Sequence, residues 1–280
     1  MPGLLRLTEF MATQIPKDEP PAVTAAAPSK TFQTDSLAVQ VYANQADLAS
    51  AAASAAQKYL EQAIAKRGSA RVILATGNSQ MQFLDKLIRL GGVDWSRVTL
   101  FHMDEYLGIS ADHKASFRRY MRERVESRIK PKVFHYLEGD AAQPIDECER
   151  YAALLREQPI DLCCLGIGEN GHLAFNDPPV ADFADKRVVK IVLLDLACRQ
   201  QQVSEGHFVD IPAVPQYALT LTIPTLCSAG KMICIAPEKR KAQAVKDALQ
   251  RPIHTACPAS FLRKQSHATL LLDLDSASSL

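Results

Sequence analysis

Asp104 and Glu105 are adjacent carboxylates that follow directly on an apolar run, Val98-Thr99-Leu100-Phe101. Acids are costly beside a core unless solvated or partnered. Two in one site also push their pKa values apart, so that one can act as base and the other as acid near neutral pH. A metal ligand or a plain helix-start acid would use the same residue types. The second candidate is His172, inside Gly166-Ile167-Gly168-Glu169-Asn170-Gly171-His172-Leu173-Ala174-Phe175-Asn176-Asp177-Pro178-Pro179. An imidazole set between Asn170 and Asp177 can be held in one tautomer and used to move protons near pH 7. The other six histidines have no comparable setting. The third candidate, Ala75-Thr76-Gly77-Asn78-Ser79-Gln80, offers a glycine, two hydroxyls, an amide and the free N–H groups of a helix start. Those groups suit a phosphate, although an ordinary strand-to-helix turn is built from the same residues.

All three candidates sit where a strand ends. Leu37–Tyr42, Arg71–Ala75, Val98–Phe101 and Asp161–Leu165 read as strands, and further strands are expected near 187–194, 217–222, 232–236 and 269–272. Between them lie helical patterns. One runs from an Asn44 cap to about Lys66, and others cover Met81–Leu90, Ser116–Arg128 and Ile145–Arg156. Strands alternating with helices imply βαβ crossovers. The expected fold is therefore α/β, a Rossmann-like three-layer sandwich with a mostly parallel central sheet flanked by helices. Ligands of such sheets bind beyond the carboxyl ends of the strands. One domain is expected over residues 34–280. Residues 1–33, with Pro16, Pro20, Pro21 and Pro28 in an Ala/Thr-rich stretch, are expected to be a disordered tail.

Composition removes several function classes. Among 280 residues, 32 Lys and Arg stand against 31 Asp and Glu, a net charge of +1 that leaves no electrostatic footprint for nucleic acid. No apolar stretch reaches the ~18 residues of a membrane span, and the N-terminus lacks a secretory pattern. The seven cysteines form neither a C-x-x-C pair nor a zinc-spaced cluster. A cytoplasmic protein is expected, with no metal and no partner in nucleic acid or membrane; the sequence leaves homo-oligomerisation open. The 166–171 stretch matches G-x-G-x-x-G, but Pro178 and Pro179 force an extended chain where a dinucleotide fingerprint must open a helix. A zinc deaminase would need H-x-E and P-C-x-x-C, which are absent.

Taken together, Ala75-Thr76-Gly77, Met103-Asp104-Glu105-Tyr106-Leu107-Gly108 and Gly166 through Pro178 make the chain resemble the glucosamine-6-phosphate deaminase (isomerase) family, over about residues 37–273. The resemblance implies a small sugar-phosphate substrate and no cofactor. It implies that Asp104 is the base moving a proton between C2 and C1, with Glu105 beside it. It implies that His172 opens the pyranose ring, assisted by Asn170 and Asp177. Gly77, Asn78 and Ser79 correspond to the phosphate turn and Lys241 to a phosphate lysine, with Arg240 in its place if the alignment slips by one. Thr76, Gly171 and Arg199 complete the implied substrate-binding set.

The chain departs from the pattern of the best-known members at three points. Asn170 stands where they have aspartate, and Asp177 where they have glutamate. In the lid segment Asp195–Gln202, Arg199 is kept, but a second arginine expected five residues on is Ser204. The chain ends before an extension used for allosteric control in some members, so no such control is expected. Galactosamine 6-phosphate is an alternative substrate. A 6-phosphogluconolactonase is a more distant one, because its histidine loop continues differently. A non-enzymatic sugar-phosphate sensor would lack Asp104 or His172.

Overall fold

The computed structural model describes residues 26–280. Its strands are β1 (Lys30–Thr34), β2 (Leu37–Tyr42), β3 (Ala70–Leu74), β4 (Val98–His102), β5 (Asp104–Tyr106), β6 (Val133–His135), β7 (Leu162–Leu165), β8 (Val189–Leu193), β9 (Tyr217–Leu221), β10 (Lys231–Ala236) and β11 (Ala268–Asp273). The helices are α1 (Gln45–Arg67), α2 (Asn78–Leu90), α3 (Phe117–Arg124), α4 (Pro144–Arg156), α5 (Leu196–Ser204), α6 (Ile223–Cys227) and α7 (Ala242–Gln250). Eight strands form the central sheet in the order β1-β2-β11-β10-β7-β3-β4-β6, parallel throughout except for β1.

Burial on both faces explains the continuous apolar strands. Side chains alternate across a strand: Ile73, Cys163 and Leu165 enter one core, with α4 and α7 packed over them. Val72, Leu162 and Cys164 enter the other, beneath α1 and α2. This is the three-layer arrangement expected. α1 starts where Asn44 accepts a hydrogen bond from the Asp47 N–H at 2.9 Å and stops at Gly68, whose φ of 77° few other residues tolerate.

Two expectations need correction. Residues 30–33 were expected in the tail but form β1, antiparallel to β2 through a turn with Asp35 at φ 50°. The proline-rich composition upstream masked a short β-prone run, Lys-Thr-Phe-Gln-Thr. Residues 1–25 of the expected tail lie outside the described residues. Secondly, the strands expected near 187–194 and 217–222 do not extend the parallel sheet. They are β8 and β9, which join β5 in a separate antiparallel sheet ordered β5-β9-β8. That sheet covers its own cluster of Tyr106, Phe117, Phe175, Val192 and Phe208. It stands over the carboxyl end of the main sheet and carries Asp104 there. No helix among the described residues is long and apolar enough to cross a membrane.

Candidate active site

β10, β7, β3 and β4 are neighbours in the sheet, and the chain runs outward from β3 through β4 to β6 before returning to β7 on the other side of β3. This is the switch point where parallel sheets open a crevice. The loops leaving these four strands line one cavity. They bring Thr76, Gly77, Asn78 and Ser79 from β3, Asp104 from β4, Gly168 and His172 from β7, and Lys241 from β10.

Asp104 is 6% exposed, and its Oδ1 is buried without a hydrogen-bond partner among the described residues. Burial, reinforced by the neighbouring Glu105, holds its pKa well above the usual aspartate value. A carboxylate stripped of water and partners is a stronger base than a solvated one.

Glu105 does something else. Successive residues of β5 face opposite sides, and Glu105 points away from the cavity into the start of α3. It accepts hydrogen bonds from Ser116 Oγ (2.7 Å), Phe117 N–H (3.1 Å), Arg118 N–H (2.9 Å) and Tyr106 N–H (2.9 Å). Burial pushes its pKa up, and these donors pull against that rise. The expected catalytic role is thus corrected: Glu105 anchors the helix N-terminus, where backbone donors and dipole favour an anion. Glu105→Gln puts an NH2 group against those donors. It should cost about 2–3 kcal/mol of stability in urea melts, with kcat per folded molecule nearly unchanged. Loss of kcat at unchanged stability would return Glu105 to the chemistry.

His172 Nδ1 lies 2.9 Å from Asp177 Oδ1, close but off the in-line hydrogen-bond direction. Asn170 Nδ2 donates to the same oxygen at 3.0 Å, and Asn170 Oδ1 accepts the His172 N–H at 3.1 Å. The Asp195 N–H donates to the other Asp177 oxygen at 3.1 Å. Burial raises the Asp177 pKa, yet His172, Asn170 and Asp195 outweigh it and hold the group below the usual value. Asp177 therefore carries the charge beside the imidazole, and Asn170 orients both partners without charge. Cys198 Sγ completes a trio with these two side chains, all within 4.8 Å. Burial keeps that thiol protonated, with Asp177 adding to the effect.

Gly168 lets the imidazole lie against the backbone. A Cβ there would sit 2.2 Å from the ring. Gly168→Ala must displace His172 and should lower kcat by ~10²-fold, since misplacement by about 1 Å has that effect. A thermal melt would separate displacement from unfolding. Gly171, expected at the substrate, instead packs on Cys257, whose Sγ would lie 2.7 Å from a Cβ at φ +84°.

At the cavity's other end, no side chain caps α2, and Gly77 turns at φ 97° into its first N–H groups. Lys241 is 3% exposed, and its ammonium makes no hydrogen bond or ion pair with another described residue. Burial, then Arg240, lowers its pKa. An isolated ammonium beside free helix N–H groups is an anion receptor. Arg240 is committed elsewhere, to Glu238 (2.7 Å), Glu205 (2.5 Å) and Glu169 (3.0 Å), so the geometry favours Lys241 over its neighbour. Arg199 is not on the cavity wall; its guanidinium donates to the Ile211 and Val214 carbonyls at 2.6 and 3.0 Å.

Four polar lining residues were not among the predicted site residues: Gln201, Gln202, Glu205 and His207. Their signal was the i, i+4 pair Gln201 and Glu205 on a helix face, together with a histidine two residues on. Gln201 Nε2 donates to Glu205 Oε1 at 2.8 Å, and Tyr106 Oη donates to Gln202 at 2.6 Å.

Residues 43–271 match the family model described as glucosamine-6-phosphate isomerases/6-phosphogluconolactonase. The chain belongs to that family. It is 34% identical over 229 residues to a glucosamine-6-phosphate deaminase of Exiguobacterium sibiricum, covering 81% of this chain and 88% of the relative. A deaminase of the same name from Listeria innocua is 35% identical over 74% of this chain and 86% of its own. Among solved structures, a monomeric glucosamine-6-phosphate deaminase superposes with TM-score 0.80 at 31% identity, over 86% of this chain and 99% of its own. The 6-phosphogluconolactonase of Thermotoga maritima shares the fold, with TM-score 0.69 at 20% identity over 85% of this chain and 99% of its own. The family thus joins two reactions on one scaffold, and its name alone does not choose between them.

Proposed function

We propose that this chain is a glucosamine-6-phosphate deaminase, converting glucosamine 6-phosphate and water to fructose 6-phosphate and ammonia. The deaminase relatives above support the reading. The observation that carries it is a partnerless buried Asp104 sharing one cavity with a His172–Asp177 pair and an isolated Lys241. His172 opens the ring by taking the O1 proton and returning one to O5, with Asp177 stabilising the charge that forms. The C2 proton becomes acidic only beside an open C1 aldehyde. Asp104 then takes it and delivers it to C1, so the enolamine becomes a 2-imine. Water adds to that imine and ammonia leaves, giving the ketone. Each well-placed proton transfer contributes ~10²–10⁴-fold. Lys241 and the Gly77–Ser79 turn hold the phosphate away from the reacting carbons.

Seven unpaired cysteines, six of them buried, support a reducing, cytoplasmic setting. The test is an end-point assay with separate detection of ammonia and fructose 6-phosphate. Equal yields from glucosamine 6-phosphate are expected. Faster release from galactosamine 6-phosphate would change the sugar, and hydrolysis of 6-phosphogluconolactone without ammonia release would overturn the reading.

A further inference from the structure

Among the described residues one lysine and no arginine lines this cavity. Lys241 is its one isolated cation, and the position where the family resemblance leads one to expect a second arginine, Ser204, is exposed at the end of α5 and off the cavity wall. Glu205 lines the wall instead. Burial raises its pKa, but His207, Arg240 and Gln201 prevail and hold it at about 2, so it is an anion where another anion must bind.

His207 resolves this conflict. Gly206, at φ +79°, reverses the chain after α5, and the His207 N–H donates back to the Gln202 carbonyl at 3.0 Å. The reversal brings the imidazole round to the cavity. A second cavity adjoins the first, and His207, Gly77, Asn78 and Phe117 line both. The imidazole is therefore placed at the phosphate turn itself. Nε2 lies 3.4 Å from Glu205 Oε2, while Nδ1 has no partner among the described residues.

We infer that His207 is the second phosphate-binding side chain of this site, held in place by Glu205. The inference rests on the proposed function for the presence of a phosphate, not for the identity of the sugar. In its charged form the ring donates from Nε2 to Glu205 and from Nδ1 to a phosphate oxygen, the arrangement an imidazolium between two anions favours. The charged groups around it are Glu205 at the end of α5 and Lys241 across the cavity. On the α3 side stand Lys114, Arg119, Glu123 and Arg124. Arg240 reaches it only through Glu205.

Inorganic phosphate is the probe. In the unsubstituted protein, phosphate should shift the His207 imidazole signals in an NMR titration. His207→Ala should weaken phosphate binding ~10-fold or more, as loss of a charge-assisted hydrogen bond does. His207→Arg should restore most of it, and in turnover the alanine variant should raise KM with kcat little changed. If His207 merely latches the end of α5, the alanine and arginine variants will both melt lower and phosphate affinity will not separate them. That outcome, or unmoved imidazole signals, or no phosphate binding by the unsubstituted protein, overturns the inference. Phosphate binding through His207 in a protein that releases no ammonia would sink the substrate reading alone and leave His207's role standing.

Discussion

Asp104→Asn is expected to lower kcat/KM by ~10²–10⁴-fold and at the same time to raise the melting temperature. The activity loss follows because an amide cannot accept the C2 proton. The gain in stability follows from where the carboxylate sits. Burial raises its pKa in the folded state above the unfolded value, so the native protein binds the proton more readily than the unfolded chain does. Stability is then unimpaired below the unfolded pKa and falls as pH rises toward the folded one. At neutral pH, above the unfolded pKa, the partnerless buried Asp104 is a cost that the amide removes. Each kcal/mol recovered should raise Tm by roughly 2–4 °C for a chain of this size. The same shift places the acid limb of the kcat/KM profile above the ordinary aspartate range. Persistent exchange of the C2 hydrogen with solvent in the variant would remove Asp104 as the base, and a lower melting temperature would show that its burial is compensated.

His172→Gln should reduce turnover of the cyclic substrate by ~10²-fold or more, yet leave binding of an open-chain alcohol analogue within a few-fold of the parent. In the proposed mechanism the imidazole opens the ring; the analogue has none to open, and its phosphate would still meet Lys241 and the uncapped start of α2. Titration calorimetry with the analogue is the deciding measurement. If it no longer binds, the histidine holds substrate instead of moving protons. The Asp177 charge beside it has the opposite pH sign to Asp104. Its folded pKa is depressed, so its stabilisation is present above the unfolded value and is lost as pH falls through the folded one.

These two variants separate the halves of the reaction because the fold separates the residues. Asp104 hangs from the small antiparallel sheet, paired with Thr220, while His172 rides the loop leaving β7. The Phe175 N–H donates to Thr220 Oγ1 at 3.1 Å, tying that loop to the same sheet. Asp104 and the His172 loop thus keep their spacing through one strand, β9.

The parallel strands β2, β3, β4, β7, β10 and β11, the helices α1 to α4 and the three loops that line the cavity could be read from residues alone. Apolar runs bounded by glycine and polar clusters mark where a buried parallel strand ends, and ligand groups gather there by topology. For that reason Asp104, His172, Asn170, Asp177 and the 76–79 turn were legible without coordinates. Direction was not. Asp104 and Glu105 are equivalent as neighbouring acids in a sequence, and only the pairing of β5 with β9 turns one to the cavity and the other to α3. Arg199 and Arg240 carry the right charge, yet partners far along the chain claim them, at Ile211 and Val214 and at Glu169 and Glu205. His207 had only its place two residues after the Gln201–Glu205 pair to announce it, and it faces the cavity because Gly206 reverses the chain. Local periodicity determines which segments become strands and helices; which side chain faces a cavity is settled by contacts between segments distant in sequence, and those exist only once the chain has folded.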